Sequence, residues 1–235
     1  MTDDINDASH PVVRPLDAAT LIIVDYEADQ PTILMGRRDP RHVFMPGMFV
    51  FPGGRVDLGD ARTRVAAPLR PEVEHLLARG IPPSRARALG LSALRETFEE
   101  TGLALGRART PQDPLPRTPV WRRYYEAGAI PSLDQLDLIA RAITPPGKIR
   151  RFDTRFFLTD AKHIQTQRRA IEGSGELLEL HWLTTEKARH LELPDITRFV
   201  IGLVESHVKA RNEGLPRPPI PYFRTFRGKV KRTML

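Results

Sequence analysis

Glu96, Glu99 and Glu100 fall within one short stretch that begins with Arg95. On a helix each residue advances by about 100°. With Glu96 set at zero, Glu99 lies near about −60° and Glu100 near about +40°, so the three carboxylates share one face. Leu94 and Phe98 fall on the opposite face, which predicts a helix that buries its apolar side and presents its acids to a cleft. Like charges at these spacings destabilise a helix by about a few tenths of a kcal/mol per pair. Two arrangements offset that repulsion. One is a solvated acidic face with surface ion pairs, with Arg95 four residues before Glu99 as one partner. The other is a divalent cation. Hard Mg²⁺ or Mn²⁺ favours oxygen ligands, keeps several waters and bridges to substrate phosphates.

These acids need elements that hold them. Ala18–Val24 is a short, apolar, β-branched run and reads as a buried strand, followed by a polar turn over Asp25–Pro31. Thr32–Gly36 reads as a second strand leading into Arg37 and Arg38, and Phe49–Phe51 as a third, stopped by Pro52-Gly53-Gly54. That turn has no side chains at its two glycines, so its backbone can approach a metal or a phosphate. Arg62–Pro83 carries several arginines and four prolines and reads as an insertion with one short helix over Pro71–Ala78. Ser84 then caps a long helix ending near Thr101, where Gly102 is the stop signal. Arg107–Pro119 is a proline-rich loop. Helical stretches are expected at Val120–Ala127, Ser132–Ala142, Thr184–His190 and Pro194–Arg211, with strands at Asp153–Thr159 and Leu177–Leu183. Strands before, between and after helices make a mixed α/β sandwich.

Together, Phe51-Pro52-Gly53-Gly54-Arg55-Val56-Asp57 and Arg95-Glu96-Thr97-Phe98-Glu99-Glu100-Thr101-Gly102-Leu103 resemble the two halves of the Nudix box, G-x5-E-x7-R-E-U-x-E-E-x-G-U with U a bulky apolar residue. Gly54 matches its first glycine, and Arg95, Glu96, Glu99, Glu100, Gly102 and Leu103 match its second half at the right spacing. Asp60 stands where the first glutamate belongs, Thr97 stands at a usually apolar position, and 34 residues separate Asp60 from Arg95 where the pattern has seven. Loop-closure entropy grows slowly with length, so an insertion there is tolerable. The chain is similar to a branch of Nudix hydrolases with an insertion inside the box, which includes peroxisomal coenzyme A diphosphatases. Ala142–Pro146, Arg151–Phe157 and Leu193–Thr197 look like the same branch. The resemblance implies a Nudix-type α/β/α sandwich with a mixed β-sheet, as a single domain over residues 12–215, with an insertion at about 61–83 and a basic C-terminal tail over 216–235.

The resemblance also implies roles. Glu96, Glu99 and Glu100, helped by the carbonyl of Gly53, would bind Mg²⁺ or Mn²⁺, which neutralises a diphosphate and acidifies water. Arg95 would orient Glu99. Asp60 either keeps a weaker form of the first glutamate's role or is a turn residue. The general base is a box glutamate, Glu99 or Glu100, or an acid on a later loop. Glu176, after Gly173-Ser174-Gly175 and with Glu172 and Glu179 nearby, is the candidate there. Arg37 and Arg38 could clamp phosphate, with Gly54 and Arg55 on the substrate side, or be ordinary surface arginines. His42, His163 and His181 form no metal-ligand spacing. Trp121, Tyr124 and Tyr125 stand at helical spacing and read as core or interface, and Trp182 as core.

Composition sets the outer limits. There is no cysteine, which excludes disulfides, thiolate metal sites and cysteine nucleophiles. No apolar run spans a bilayer, and Met1–His10 is polar and acidic, unlike a signal peptide, so a cytoplasmic protein with no membrane partner is expected. The net charge is +7, of which +6 lies in residues 216–235. A mildly basic body attracts a polyanion, and the basic tail could touch nucleic acid, although a solvated or surface-packed tail is the plainer reading. The favoured function is hydrolysis of a diphosphate linkage in a nucleoside diphosphate derivative, with coenzyme A or acyl-coenzyme A first by family analogy. A non-catalytic Nudix-fold nucleotide sensor and an RNA-processing Nudix enzyme are the alternatives. The inserted segment reads as either a homodimer contact or a substrate lid.

Overall fold

The computed structural model describes residues 13–41, 45–166 and 176–235. Its centre is β1 (Leu16–Asp25), where Leu21 and Ile23 enter one apolar cluster and Ile22 and Val24 the other. Side chains alternate across a strand, so a strand apolar at both parities must be covered on both faces. β8 (Phe152–Asp160) runs parallel to β1 from Leu16↔Phe152 to Val24↔Asp160. β2 (Thr32–Arg38) lies antiparallel on the other side of β1 and carries β3 (Phe49–Val50) and β9 (Leu177–Thr184). β4 (Gly53–Arg55) pairs with the first half of β1, through Ala18↔Arg55 to Thr20↔Gly53. Beyond β8 follow β7 (Asp137–Ile143), antiparallel, and then β10 (Pro221–Phe226) and β11 (Lys229–Met234). A separate two-stranded sheet pairs β5 (Arg107–Ala108) with β6 (Ala129–Ile130).

Helices cover both faces. α1 (Pro71–Leu77), α2 (Pro83–Thr101) and α3 (Pro119–Glu126) join the Leu21 side through Val73, Leu77, Leu89, Leu94, Trp121 and Tyr124. α4 (Thr185–Arg189) and α5 (Asp195–Asn212) join the Ile22 side through Ala188, Val200, Ile201 and Val204. The result is the expected α/β/α sandwich on a mixed sheet. α2 begins one residue before Ser84, with Pro82 as its cap and Pro83 in its first turn, because proline's fixed φ suits a helix start. It ends where Gly102 takes the left-handed conformation, φ 71°, and its N–H bonds the Phe98 carbonyl.

Two readings change. Ser132–Ala142 is not helical: Leu133–Leu136 closes a turn and Asp137 opens β7. Leu, Gln, Ala and Arg favour helix, but β7 sits between β8 and β10 with Leu138 in one core and Ile139 in the other, and this two-sided burial outweighs propensity. Of the two readings of residues 216–235, the surface-packed tail holds and the solvated one does not. These residues hold β10 and β11, with Tyr222 and Phe223 paired to Arg141 and Ala142 of β7 and the Tyr222 ring under the Arg141 guanidinium. The insertion carries its expected short helix and packs on the body: Leu69, Val73 and Leu77 are buried in the core, and Arg70 pairs with Asp137 and donates to the carbonyls of Asp134 and Leu136.

Candidate active site

Antiparallel pairing with β1 fixes the Gly53-Gly54 turn, and α2 crosses over it. The Gly53 N–H donates to Glu100 Oε2 at 2.9 Å. A Cβ on Gly53 would lie 2.5 Å from the Ala19 carbonyl oxygen and 2.7 Å from Thr20 Cα. A Cβ on Gly54 would lie 2.3 Å from Glu96 Cδ. Both glycines are therefore dictated by contact, one against a backbone and one against a carboxylate.

Arg95 is the hub of the site. Its Nη1 donates to Glu96 Oε1 at 2.8 Å and to Glu99 Oε2 at 2.7 Å. Its Nε and Nη2 grip the two oxygens of Asp60 at 2.9 and 3.1 Å, and Nη2 also donates to the Arg55 carbonyl at 2.7 Å. Arg95 and Asp60 are both buried, with side-chain exposures of 5% and 1%. Burial works against the guanidinium's charge, but Asp60, Glu96 and Glu99 outweigh it and hold the proton more firmly than in a free arginine. Asp60 also accepts the Asp57 N–H at 2.9 Å. Its side chain thus ties the loop after β4 to α2. Spacing alone could not show this, because the pair forms across the whole insertion.

Only part of the acidic face is open. Glu100 is 2% exposed and its Oε1 has no hydrogen-bond partner. The expectation that all three acids line an open cleft is corrected here: β4 covers Glu100. Burial pushes its carboxyl well above the usual range, the Gly53 N–H and Arg38 pull it down, and Glu96 and Glu176 push it up. Glu96 is pushed up to about 6, by burial against the pull of Arg95, with Glu99 and Glu176 adding to the rise.

Those field effects locate two further residues predicted from the sequence. Arg38 pairs with Leu177 in the β2–β9 ladder, and the Asp39 N–H bonds the Glu176 carbonyl at 3.1 Å. Arg38 and Glu176 thus stand together at one end of that ladder, within electrostatic reach of Glu100. Arg37 turns elsewhere, donating to the Gly47 carbonyl at 3.2 Å and to Glu179 at 3.3 Å. Arg55 exposes its side chain and lends only its carbonyl to Arg95. Trp121, Tyr124 and Tyr125 are core. His181 is exposed, and Trp182 packs at the core margin. His42, Glu172 and Gly173-Ser174-Gly175 lie outside the described residues.

No protein-family model matches the chain. The crystal structure of a Nudix hydrolase from Alicyclobacillus acidocaldarius matches with a TM-score of 0.64 at 27% identity, covering 88% of this chain and 99% of that one. The acyl-coenzyme A diphosphatase NUDT19 of Gallus gallus is 30% identical, over 57% of this chain and 48% of the chicken protein. The chain shares the fold of the Alicyclobacillus acidocaldarius Nudix hydrolase and carries both halves of the Nudix box. It spans about half the length of that curated relative. Its Nudix box is split by the inserted segment, whose α1 packs on the box helix α2 and so helps bury the face behind the acids.

Among the described residues no three His, Asp or Glu side chains stand together as a finished cage. A full protein cage is not what Mg²⁺ or Mn²⁺ needs, since one or two carboxylates plus waters and substrate phosphates suffice. The donors here are all oxygens, and the buried Glu100 Oε1 lacks a partner. A buried carboxylate oxygen left alone costs about 1–3 kcal/mol or more, so this atom calls for a cation or a proton.

Proposed function

We propose that the chain hydrolyses a diphosphate linkage in a nucleotide-derived substrate with Mg²⁺ or Mn²⁺, and that acyl-coenzyme A or coenzyme A is its first substrate class. The observation that carries this is the Glu100 carboxyl, with one oxygen bound by the Gly53 N–H, the other unpartnered, and Glu96 beside it. The likeness to a protein named as an acyl-coenzyme A diphosphatase supports the substrate class.

Glu96 and Glu100 would hold the cation, with Glu99 kept in line by Arg95. When bound, the cation would offset phosphate charge and acidify water. The chain's own groups supply the rest. Arg95, fixed from behind by Asp60, sets the positions of Glu96 and Glu99 before substrate arrives, which removes part of the ordering cost. Arg38 is the cation placed to meet a phosphate oxygen. Glu176 is exposed at the start of β9 and is the candidate to take a proton from water. Hydrolysis then needs no covalent enzyme intermediate: water attacks one phosphorus, the bridging oxygen leaves with the other phosphate, and two phosphorylated fragments are released.

A non-catalytic sensor would be favoured if Asp60, standing where the box has its first glutamate, meant a lost ligand. With Asp60 acting as the buried partner of Arg95, that substitution no longer removes a ligand. The test is to incubate the protein with Mg²⁺ or Mn²⁺ and acyl-coenzyme A, coenzyme A, nucleotide sugars, NADH and dinucleoside polyphosphates, and to identify products by mass spectrometry. Cleavage of acyl-coenzyme A or coenzyme A at the diphosphate is expected, with Glu100→Gln slower by about 10²–10⁴-fold. Tight binding without turnover across the panel refutes the hydrolase reading.

A further inference from the structure

The start of the insertion and the proline-rich loop before α3 meet at a cavity that the hydrolytic site does not use. The short turn Asp60–Arg62 stands between the two. On its inner side Asp60 holds Arg95, while Gly59, Arg62, Thr63 and Arg64 wall the cavity and residues 114–118 face them from the loop. The cavity has a volume of about 290 Å³, at the lower edge of small-molecule sites. None of the acids of the Nudix box lines it.

Three features mark it as an anion site. The first is charge. Arg62, Arg64 and Arg117 line the cavity, and among the described residues no carboxylate does. None of these three guanidiniums has an ion pair or a hydrogen bond among the described residues. Asp113, close to Tyr125, is held elsewhere: it pairs with Arg107 at 2.9 Å and accepts the Thr110 N–H and hydroxyl at 2.9 and 2.8 Å. Three unpaired guanidiniums on one cavity repel one another, and an anion between them relieves that. The second feature is a polar group without a partner. Thr63 is 7% exposed and lines the cavity. Its N–H donates to the Asp60 carbonyl at 3.1 Å and its carbonyl accepts from Arg87. Its hydroxyl has no partner among the described residues and is not sealed from solvent. Buried polar groups are nearly always satisfied, so this one points to an occupant. The third is the start of α3, whose cap residue Thr118 lines the cavity and makes no side-chain cap to the first-turn N–H groups. The walls are also set beforehand. Arg87 holds the Ala61 and Thr63 carbonyls, the Tyr125 hydroxyl donates to the Arg64 carbonyl at 2.8 Å, and Pro114 and Pro116 restrict the backbone opposite.

We infer that this cavity binds a phosphate group, free or carried on a small ester, at a site separate from the Nudix box. Such a group carries close to two negative charges near neutral pH and several acceptor oxygens, which suits guanidinium donors, the Thr63 hydroxyl and a helix N-terminus together. The rest of the wall, Pro114, Leu115, Pro116 and the Tyr125 ring, is apolar and takes the body of an ester. An occupant held by Arg62 and Thr63 braces the turn that carries Asp60, and binding to the folded state alone raises the melting temperature.

The probes are inorganic phosphate and phenyl phosphate, titrated calorimetrically into the full chain in metal-free buffer at fixed ionic strength. Both are expected to bind and to raise the melting temperature. Arg62, Arg64 and Arg117 are exposed, so replacing each by Gln leaves the fold in place. Arg62→Gln, Arg64→Gln and Arg117→Gln should each weaken phosphate by about fivefold to tenfold, because each removes one charged contact. Thr63→Val should weaken it by about threefold or more without lowering the melting temperature of the ligand-free protein, because the hydroxyl it removes has no partner. Two controls carry charge elsewhere. Lys229 and Lys231 do not line the cavity, so Lys229→Gln and Lys231→Gln together should leave the affinity within about twofold. Arg38→Gln, in the Nudix site, should bind phosphate like the parent. Tighter binding of phenyl phosphate assigns the cavity to an ester and equal binding assigns it to free phosphate, and either result supports the inference. No heat from either probe at millimolar concentration overturns it. So does an affinity that ignores the three arginines and Thr63, or one that falls as far with the lysine pair as with Arg62→Gln. Loss of binding in Arg38→Gln would place the phosphate in the Nudix site and also overturns it.

Discussion

Replacing Asp60 by asparagine separates an anchor from a ligand. Asp60 Oδ1 and Oδ2 accept from Arg95 Nε and Nη2, and Oδ2 also takes the Asp57 N–H. In Asp60→Asn the amide group has only one acceptor, and its NH₂ must face either the guanidinium or the Asp57 N–H. Arg95 keeps Glu96 and Glu99, so its charge is not orphaned, but its Nε loses its partner when the amide oxygen takes the Oδ2 position, and Nη2 and the Asp57 N–H lose theirs in the other orientation, so the tie between loop and α2 is weakened either way. Leaving a buried donor without its partner costs about 1–3 kcal/mol. For a chain of this size that corresponds to a fall of about 2–12 °C in melting temperature. Denaturant melts in EDTA, followed by circular dichroism, would measure it without contribution from any bound cation. A loss below about 1 kcal/mol, inside the range of an ordinary surface substitution, combined with a large loss of cation affinity, would refute the anchor and make Asp60 a ligand.

Other consequences follow from the same geometry. Gly54→Ala puts a methyl carbon where the Glu96 carboxylate lies, so Glu96 must move while the backbone need not; turnover should fall by about tenfold or more, since small displacements of catalytic groups are costly, while the melting temperature changes little, and wild-type turnover would contradict this. The raised Glu96 carboxyl has a defined sign. Its folded-state value of about 6 exceeds the usual 4.5, so the folded protein holds the extra proton, and the stability this contributes is complete below pH 4.5 and lost as pH rises through 6. In EDTA, Glu96→Gln should therefore gain up to about 2 kcal/mol on the parent between pH 4.5 and 7.5, and a flat difference in urea melts would sink the argument.

The box helix was the most legible part of the chain. Its acids, its Gly102 stop and its arginine could be placed from about 100° per residue alone. The same arithmetic could not say which acids are covered, because that depends on β4, brought in by pairing with β1 from far along the chain. Asp60 was ambiguous for a related reason: its partner is reached only after the insertion folds back, and loop length carries no direction. β7 was misread because Leu, Ala, Gln and Arg favour a helix locally, while two neighbouring strands decide otherwise. β10 and β11 were hidden by charge, since Arg224, Arg227, Lys229 and Lys231 look like a solvated tail until Tyr222 and Phe223 are seen pairing with β7. In the box the local pattern and the fold agree, and the family pattern is most specific there.

The most direct test of the central claim is a Mn²⁺ titration followed by electron paramagnetic resonance, on the parent and on Glu100→Gln. If the Glu100 carboxyl beside Gly53 is a cation site, the parent takes up Mn²⁺, and Glu100→Gln, still folded by circular dichroism, binds it at least about tenfold more weakly, the loss of roughly one charged ligand. Identical Mn²⁺ isotherms for the two proteins would contradict the claim, leaving the buried Glu100 as a protonated structural acid and the proposed hydrolysis without its cation site.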